Sequence, residues 1–543
     1  MSLKKRLTAV VITAIAAAIT FGIAYSGMQI SEKKEEIIVD IGSGKDTLYL
    51  WYTDEALTSY LSGAAVAYNE DHDVRIVPVL ETGLEYLENI NKASVESNAP
   101  DLYILSHDSL EKAYLAGLAN EVETYASEHG INLEDKYMGT GLQAATYKDK
   151  ILGYPFYFET SSLLYNKTYL EEMAAKQLEA EIDEAMALEA EADLEENGPV
   201  ATAAPTATPA VSPTPTATPA SGTAAVAANA TASPTPEATP TPEPTATPTP
   251  PYTPEQVEQR VQEMLPGSIE ALKTLADGYD APEQVEGVFK WDVTDIFYNY
   301  FFVGNAINMG GEAGWDTSQI DIYNLEAIES MKVYQELNQF FSIDTSDCDY
   351  DEILDDFMAG KMVFTVATTD AVFKLEDAKA DALFNYEYGV MTIPDINDEL
   401  KTRSLSMTNC VVVNGYSAHK DAANDFALFL TGEYNNILYA RSGKVSAAKD
   451  VEYGYDALYH FAEEYESSIS MPKMLETSNF WVQLEVAFSQ IWNGADANSK
   501  LKELSEQIMR QVTGEEYREE YIEEPEEEID EEEYLDAGDY IEE

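Results

Sequence analysis

The 543-residue sequence is poor in cysteine, histidine and positive charge. Its 2 Cys and 5 His are too few and too scattered for metal-ligand spacing, so neither a metal site nor a cofactor is expected. Cys348 in "DTSDCDYDE" and Cys410 in "MTNCVVVN" read as unpaired thiols, the second in a buried strand. Lys and Arg number 32 against 99 Asp and Glu, for a formal net charge of −67. A polyanion without a long basic patch repels phosphates, which excludes nucleic acid as a partner. "GSGKD" (Gly42 to Asp46) is not a phosphate-binding loop: Val39 stands where glycine is needed and Asp46 where Ser or Thr is needed. No cysteine follows the N-terminal apolar run, which excludes a lipid-modified cysteine tether.

What is present first is an export signal. Lys4, Lys5 and Arg6 precede an uncharged apolar run from Leu7 to about Tyr25. Cleavage near Ala24-Tyr25-Ser26 would release the protein; retention of a run nearly long enough to span a bilayer would leave it anchored on the outer face of the cell membrane. Residues 1–30 are therefore expected to be a signal peptide or membrane anchor, and residues 31–46 a flexible juxtamembrane segment.

Two segments lack the composition of a folded core. Pro, Thr and Ala dominate from Gly198 to about Pro251, a solvated spacer favouring extended conformers. An Ala- and Glu-rich helical stalk, Ala174 to Glu196, leads into it. The tail, residues 514–543, carries dense like charge and is expected to be disordered.

Between these segments strands and helices alternate. "TLYLW" (Thr47 to Trp51), "VRIVPVL" (Val74 to Leu80) and "DLYIL" (Asp101 to Leu105) read as strands. Leu57, Tyr60, Leu61, Ala64, Ala65 and Tyr68 share one helical face between the first two, and "GLEYLENINKASVE" supplies a second helix. The result is a βαβαβ unit with right-handed crossovers and parallel strands. Ser106, His107 and Asp108 then sit at a strand's carboxyl end, where open α/β sheets bind ligands. They do not read as a catalytic triad, because adjacent side chains splay apart. Ligand contact and helix capping, the latter by Asp108 with Glu111 as a capping box, are the readings that stay open.

Further stretches extend the pattern: "YKDKILGYPF" as a hairpin, "SSLLYN" as the strand continuing from it, "DEILDDFMAGK" as an amphipathic helix closed by Gly360, and "MVFTVAT" as the next strand. Trp291 is expected to begin an aromatic-rich helix in which Phe297, Tyr300 and Phe301 are core.

Taken in order, "LYLWYTDE", "APDLYILSHDSLEKAYLAGLANEVETY", "GLQAATYKDKILGYPFYFETSSLLYNKTYLEE", "FMAGKMVFTVATTD", "YGVMTIP" with "VVVNGYSAHKDAANDFALFLTGEYNNILYARSGKVSA", and "NFWVQLEVAFSQIWNGADANSKLKELSEQI" resemble the carbohydrate-binding family of extracellular solute-binding proteins of ABC transporters. The family includes maltose-binding protein, and the likeness runs from about Asp46 to Val512. It implies an α/β, two-lobed periplasmic-binding-protein-like fold of type II with a hinge, here carrying a disordered insert and an acidic tail. Residues 47–173 would be mainly the first lobe, 174–254 the stalk and insertion, and 255–513 mainly the second lobe with C-terminal helices. The insertion then interrupts a surface loop of one lobe, which loop-closure entropy tolerates.

The resemblance also implies a function: capture of a sugar or oligosaccharide and its delivery to ABC permease subunits, without enzymatic activity. A surface receptor, adhesin or sensor, or a non-sugar solute such as a peptide or polyamine, is the alternative. Sugar sites combine hydrogen-bonding acids and amides with aromatic platforms. The candidate contacts are Trp51, Tyr52 and Asp54 after the first strand; Ser106, His107 and Asp108; Phe156, Tyr157 and Glu159 toward the hinge; and Thr369 and Asp370 at the second lobe's lip. The family often has a Gly-Pro-Trp-like turn at that lip, and this chain has Thr-Asp-Ala-Val instead. Trp315 between Gly314 and Asp316, Trp481, and Arg441 in "LYARSGKVSA" complete the set.

Overall fold

The computed structural model describes residues 45–81, 85–94, 99–197, 250–341, 343, 345 and 348–524. The expected signal or anchor, nearly all of the Pro/Thr-rich spacer and the end of the acidic tail lie outside the described residues. Among the described residues no helix is long and apolar enough to cross a membrane.

The chain opens with β1 (Asp46–Tyr52), α1 (Thr58–Asp71), β2 (Val74–Leu80), α2 (Tyr86–Ala93) and β3 (Leu102–Ser106). β4 (Tyr154–Asn166) follows, then α3 (Lys167–Asn197) and α4 (Pro254–Met264) on either side of the insertion. Next come α5 (Leu325–Phe341), α6 (Tyr350–Met358), β5 (Met362–Thr368), β6 (Tyr388–Met391) and β7 (Leu405–Val413). The chain continues with β8 (Val445–Ser446), α7 (Ala457–Ser467), α8 (Phe480–Trp492) and α9 (Ala497–Thr513). It forms two compact lobes: one reaches to Phe158 and includes Thr408–Glu452, the other takes Glu159–Met407 and the residues from Tyr453 onward. The return of residues 408–452 to the first lobe is a feature that a linear division of the chain does not contain.

In the first lobe β1 is central, parallel to β2 (Leu48 opposite Ile76) and to β3 (Leu50 opposite Leu102). β7 runs antiparallel beside β3, with Cys410 opposite Leu105. Tyr60, Leu61, Ala64, Ala65 and Tyr68 of α1 are all buried, as their spacing requires, and join Leu48, Leu50, Val411 and Phe426 in one core. Lys148 and Asp149, with φ of 47° and 61°, form the two-residue turn of the hairpin Thr146–Tyr147/Lys150–Ile151. Primed turns need positive φ at both central residues, because only then does the turn match strand twist.

In the second lobe β5 and β6 both run antiparallel to β4, with Val366 opposite Leu163 and Val390 opposite Leu164. Ile353, Leu354 and Phe357 bury the inner face of α6, Asp349 caps its start, and Gly360 at φ 76° ends it. The insertion leaves α3 and re-enters at α4, which starts with a capping box of Thr253 and Gln256. α3 begins at Lys167, ahead of the expected stalk, and Arg260 of α4 forks onto Glu181 of α3 at 2.7 and 3.0 Å. Cys348 and Cys410 are both buried and form no disulfide.

Two expectations are corrected. The region after Trp291 is not an α-helix but two 3-10 turns, Ile296–Tyr298 and Tyr300–Phe302. Asn299 accepts from the Trp291 indole N–H at 2.8 Å and donates to the Asp292 and Asp295 carbonyls, holding the chain in this tighter path. The tail is not disordered from residue 514. The Asn498 amide donates to the Ile522 carbonyl at 3.0 Å and to Glu524 at 2.8 Å, Ser505 donates to Glu519 at 2.6 Å, and Lys332 pairs with Glu524. Dense like charge favours disorder only while no fixed cations and amides answer it.

Candidate functional site

The first lobe gathers polar groups at the carboxyl ends of β1, β2 and β3, the edge at which a parallel sheet receives ligands. Asp54 follows β1 and caps the next turn, accepting from the Ala56 amide at 2.9 Å. Its other oxygen lies 2.9 Å from Lys444 Nζ, and the same ammonium stands 5.3 Å from the centre of the Tyr157 ring. A carboxylate, an ammonium and an aromatic face are thus locked together from chain segments almost 400 positions apart. Glu81 follows β2 and its carboxylate makes no ion pair or side-chain hydrogen bond among the described residues; burial pushes its pKa up. Burial also pushes up the Tyr86 phenol, with Tyr103, Glu81 and Tyr157 near enough to add to the shift. The Ser106 and Tyr103 hydroxyls are enclosed and have no hydrogen-bond partner among the described residues.

Other candidates of this lobe hold the fold. Trp51 and Tyr52 are buried, and the Tyr52 hydroxyl bonds Thr58 at 3.1 Å. His107 is fully buried and its Nδ1 accepts from the Thr408 amide at 3.0 Å, while Phe156 is fully buried against Tyr60. Both are enclosed as packing residues in this lobe. Asp108 is half-buried and forms no capping box: residues His107–Ser109 make a 3-10 turn, and no side chain caps it or the helix after it. Arg441 is exposed, with Nη1 3.4 Å from Ser59.

In the second lobe Asp370 is the centre of a closed network. Tyr350 donates to it at 2.8 Å, Thr368 at 2.5 Å, and Lys374 Nζ lies at 3.0 Å. Burial alone would raise its pKa, but the Thr368 hydroxyl, the Lys374 ammonium and the Tyr350 hydroxyl outweigh burial and hold it below the usual carboxylate range. Tyr350 in turn stacks on Tyr298, centroids 4.9 Å apart. Thr369 is buried, Glu159 and Trp315 are half-buried, and Trp481 meets Tyr300 edge-on at 5.3 Å. Sequence reasoning missed Lys444 and Glu81; Lys444 stands three residues beyond Arg441, in the same quoted stretch, and only the fold pairs it with Asp54. No cluster of metal-ligating side chains occurs among the described residues.

Solved structures share this architecture. A solute-binding protein from Staphylococcus aureus in complex with maltose matches with a TM-score of 0.59 at 17% identity, covering 86% of this chain and 98% of that one. The maltose-binding protein from Listeria monocytogenes, also with maltose, matches at 0.59 and 18%, covering 88% and 100%. Among curated sequences, a galactooligosaccharide-binding protein of Bacillus subtilis is 23% identical over 29% of this chain and 35% of its own length. A maltotriose-binding protein of Pyrococcus abyssi is 32% identical over 16% of this chain and 18% of its own. The aligned stretches thus span about a third and about a fifth of these curated relatives. The family model described as bacterial extracellular solute-binding protein matches residues 63–459, most of the chain, and the protein belongs to that family.

Proposed function

We propose that the protein captures a neutral oligosaccharide outside the cell and hands it to an ABC permease. The family binds solutes and is not one of enzymes. The observation that carries the sugar assignment is the first-lobe group of Asp54, Lys444 and Tyr157 beside the unspent Glu81 carboxylate. Carboxylates accept hydrogen bonds from sugar hydroxyls, an ammonium donates to ring and hydroxyl oxygens, and aromatic rings cover the apolar faces of pyranoses. The relatives' sugars, maltose, maltotriose and galactooligosaccharide, support the same class. Differential affinity for a closed form drives the conformational change of such binders. We assign residues 1–30 to export or anchoring and the spacer and distal tail to roles outside the binding fold.

Thermal unfolding of the exported chain against maltose, maltotriose, galactose disaccharides, peptides and polyamines tests the reading. A bound sugar at a hundred times its dissociation constant adds about 2.7 kcal/mol of stability. A shift with peptides or polyamines alone would overturn it.

A further inference from the structure

The second lobe holds a basin that has no part in the first-lobe face. It encloses about 400 Å³ between the end of β4, β6 and the start of α7. That volume lies within the roughly 300–1,000 Å³ usual for small-molecule sites. Tyr165 lines it and is only 6% exposed, yet its hydroxyl has no hydrogen-bond partner among the described residues. Gly389 makes room for that hydroxyl: a Cβ there would fall 2.3 Å from the Tyr165 oxygen. On the rim Tyr455 is 40% exposed and offers a ring to the opening.

Charge decides the ligand class. Of the lining lysines, Lys167 pairs with Glu258 at 2.6 Å and Lys379 with Glu387 at 2.7 Å. Glu376 already accepts from the Tyr388 hydroxyl at 2.7 Å. His460, the remaining basic residue of the lining, lies 3.7 Å from Glu463, so among the described residues each basic side chain of the lining already faces a carboxylate, and the lining carboxylates Glu376, Glu387 and Asp456 outnumber the two lysines. Carboxylate oxygens that keep spare lone pairs, an orphaned phenol and an exposed tyrosine ring suit a ligand rich in hydroxyls and without charge. We propose that this basin is a second, peripheral saccharide site, taking a neutral mono- or disaccharide unit.

The test is hydrogen exchange on the full exported chain with maltose and a galactose disaccharide titrated separately into the millimolar range. The expected result is protection of residues 386–391 and 454–460 by at least one sugar. Tyr455→Ala and Tyr165→Phe should each weaken that protection about ten-fold, while protection around residues 51–57 and 441–446 stays unchanged. Tyr165→Phe keeps the ring and removes only the hydroxyl, so a folding defect does not mimic the effect. The proposal is overturned if neither sugar protects 386–391 and 454–460, or if that protection survives both variants. Loss of protection only at 51–57 and 441–446 would count against the first-lobe assignment instead.

Discussion

Glu81, after β2 in the first lobe, and Asp370, after β5 in the second, are carboxylates at comparable places in their sheets, kept in opposite conditions. Asp370 is answered within its own lobe by Lys374, Tyr350 and Thr368 and titrates low. Glu81 has no cation or donor beside its carboxylate among the described residues, and burial raises its pKa. A group whose hydrogen bonds are already made contributes to the fold; one whose bonds are unmade is available to a solute. The nearby ion pair of Asp54 and Lys444 lies between these extremes, since a bound hydroxyl can share both partners. On the proposed function, recognition resides in the first-lobe face, and Asp370 belongs to the fold of its own lobe.

The sharpest extension of the contrast is a third carboxylate. Glu464 on α7 is 4% exposed, makes no ion pair among the described residues, and accepts from the Ser404 hydroxyl and, at 2.8 Å, from the Ile393 amide. Burial pushes its pKa up to about 7. An acid whose folded pKa exceeds its unfolded value holds a proton in the native state that the unfolded chain releases. Its contribution is thus fully present below the ordinary value near 4.5 and declines as pH rises through about 7. Thermal unfolding from pH 4.5 to 8 should show a loss on the order of a few kcal/mol that Glu464→Gln removes. A variant with the wild-type pH profile breaks the argument that uncompensated burial sets this group's state.

Lys444→Ala comes next in size. It strands Asp54 and uncovers Tyr157, and solute affinity measured by calorimetry should fall about 10- to 100-fold. Affinity within about two-fold of wild type would remove the first-lobe face from recognition. The direct comparison uses one isosteric change in each lobe. Glu81→Gln should lower affinity about ten-fold with apo stability unchanged or slightly higher. Asp370→Asn should do the reverse, costing about 1–3 kcal/mol of apo stability in denaturant titration while affinity changes little. Equal effects of the two on affinity would erase the distinction between them.

Elements with a local cause were legible in the sequence. Alternating apolar runs marked β1 to β3, a 3.6-residue period marked the inner face of α1, and Gly360 marked the end of α6. The site was legible only in part. Asp54 and Tyr157 were named through the family resemblance, but Lys444 becomes visible only when the chain's return to the first lobe carries it to Asp54. The capping box expected of Asp108 with Glu111 is absent for a local reason. The chain turns through a 3-10 step after Ser106, which takes the imidazole inward and leaves no side-chain cap.

The smallest expected effect concerns the two segments of biased composition, which sequence alone treats alike. Residues 198–249 connect α3 to α4 of one lobe, and these two helices meet directly through Arg260 and Glu181. Replacing them with a short flexible linker should change stability by less than about 1 kcal/mol, because closure entropy varies only with the logarithm of loop length. Truncation after Gly514 is the contrasting case. It leaves the fully buried Asn498 amide without Ile522 and Glu524, and Ser505 without Glu519. An enclosed donor left without an acceptor costs about 1–3 kcal/mol, so the truncated chain should unfold at measurably lower denaturant. If instead the truncation is silent and the linker replacement destabilises, the order of the two segments is reversed. The acidic stretch up to Glu524 would then contribute nothing to α9, and its hydrogen bonds would be worth no more than those it makes with water.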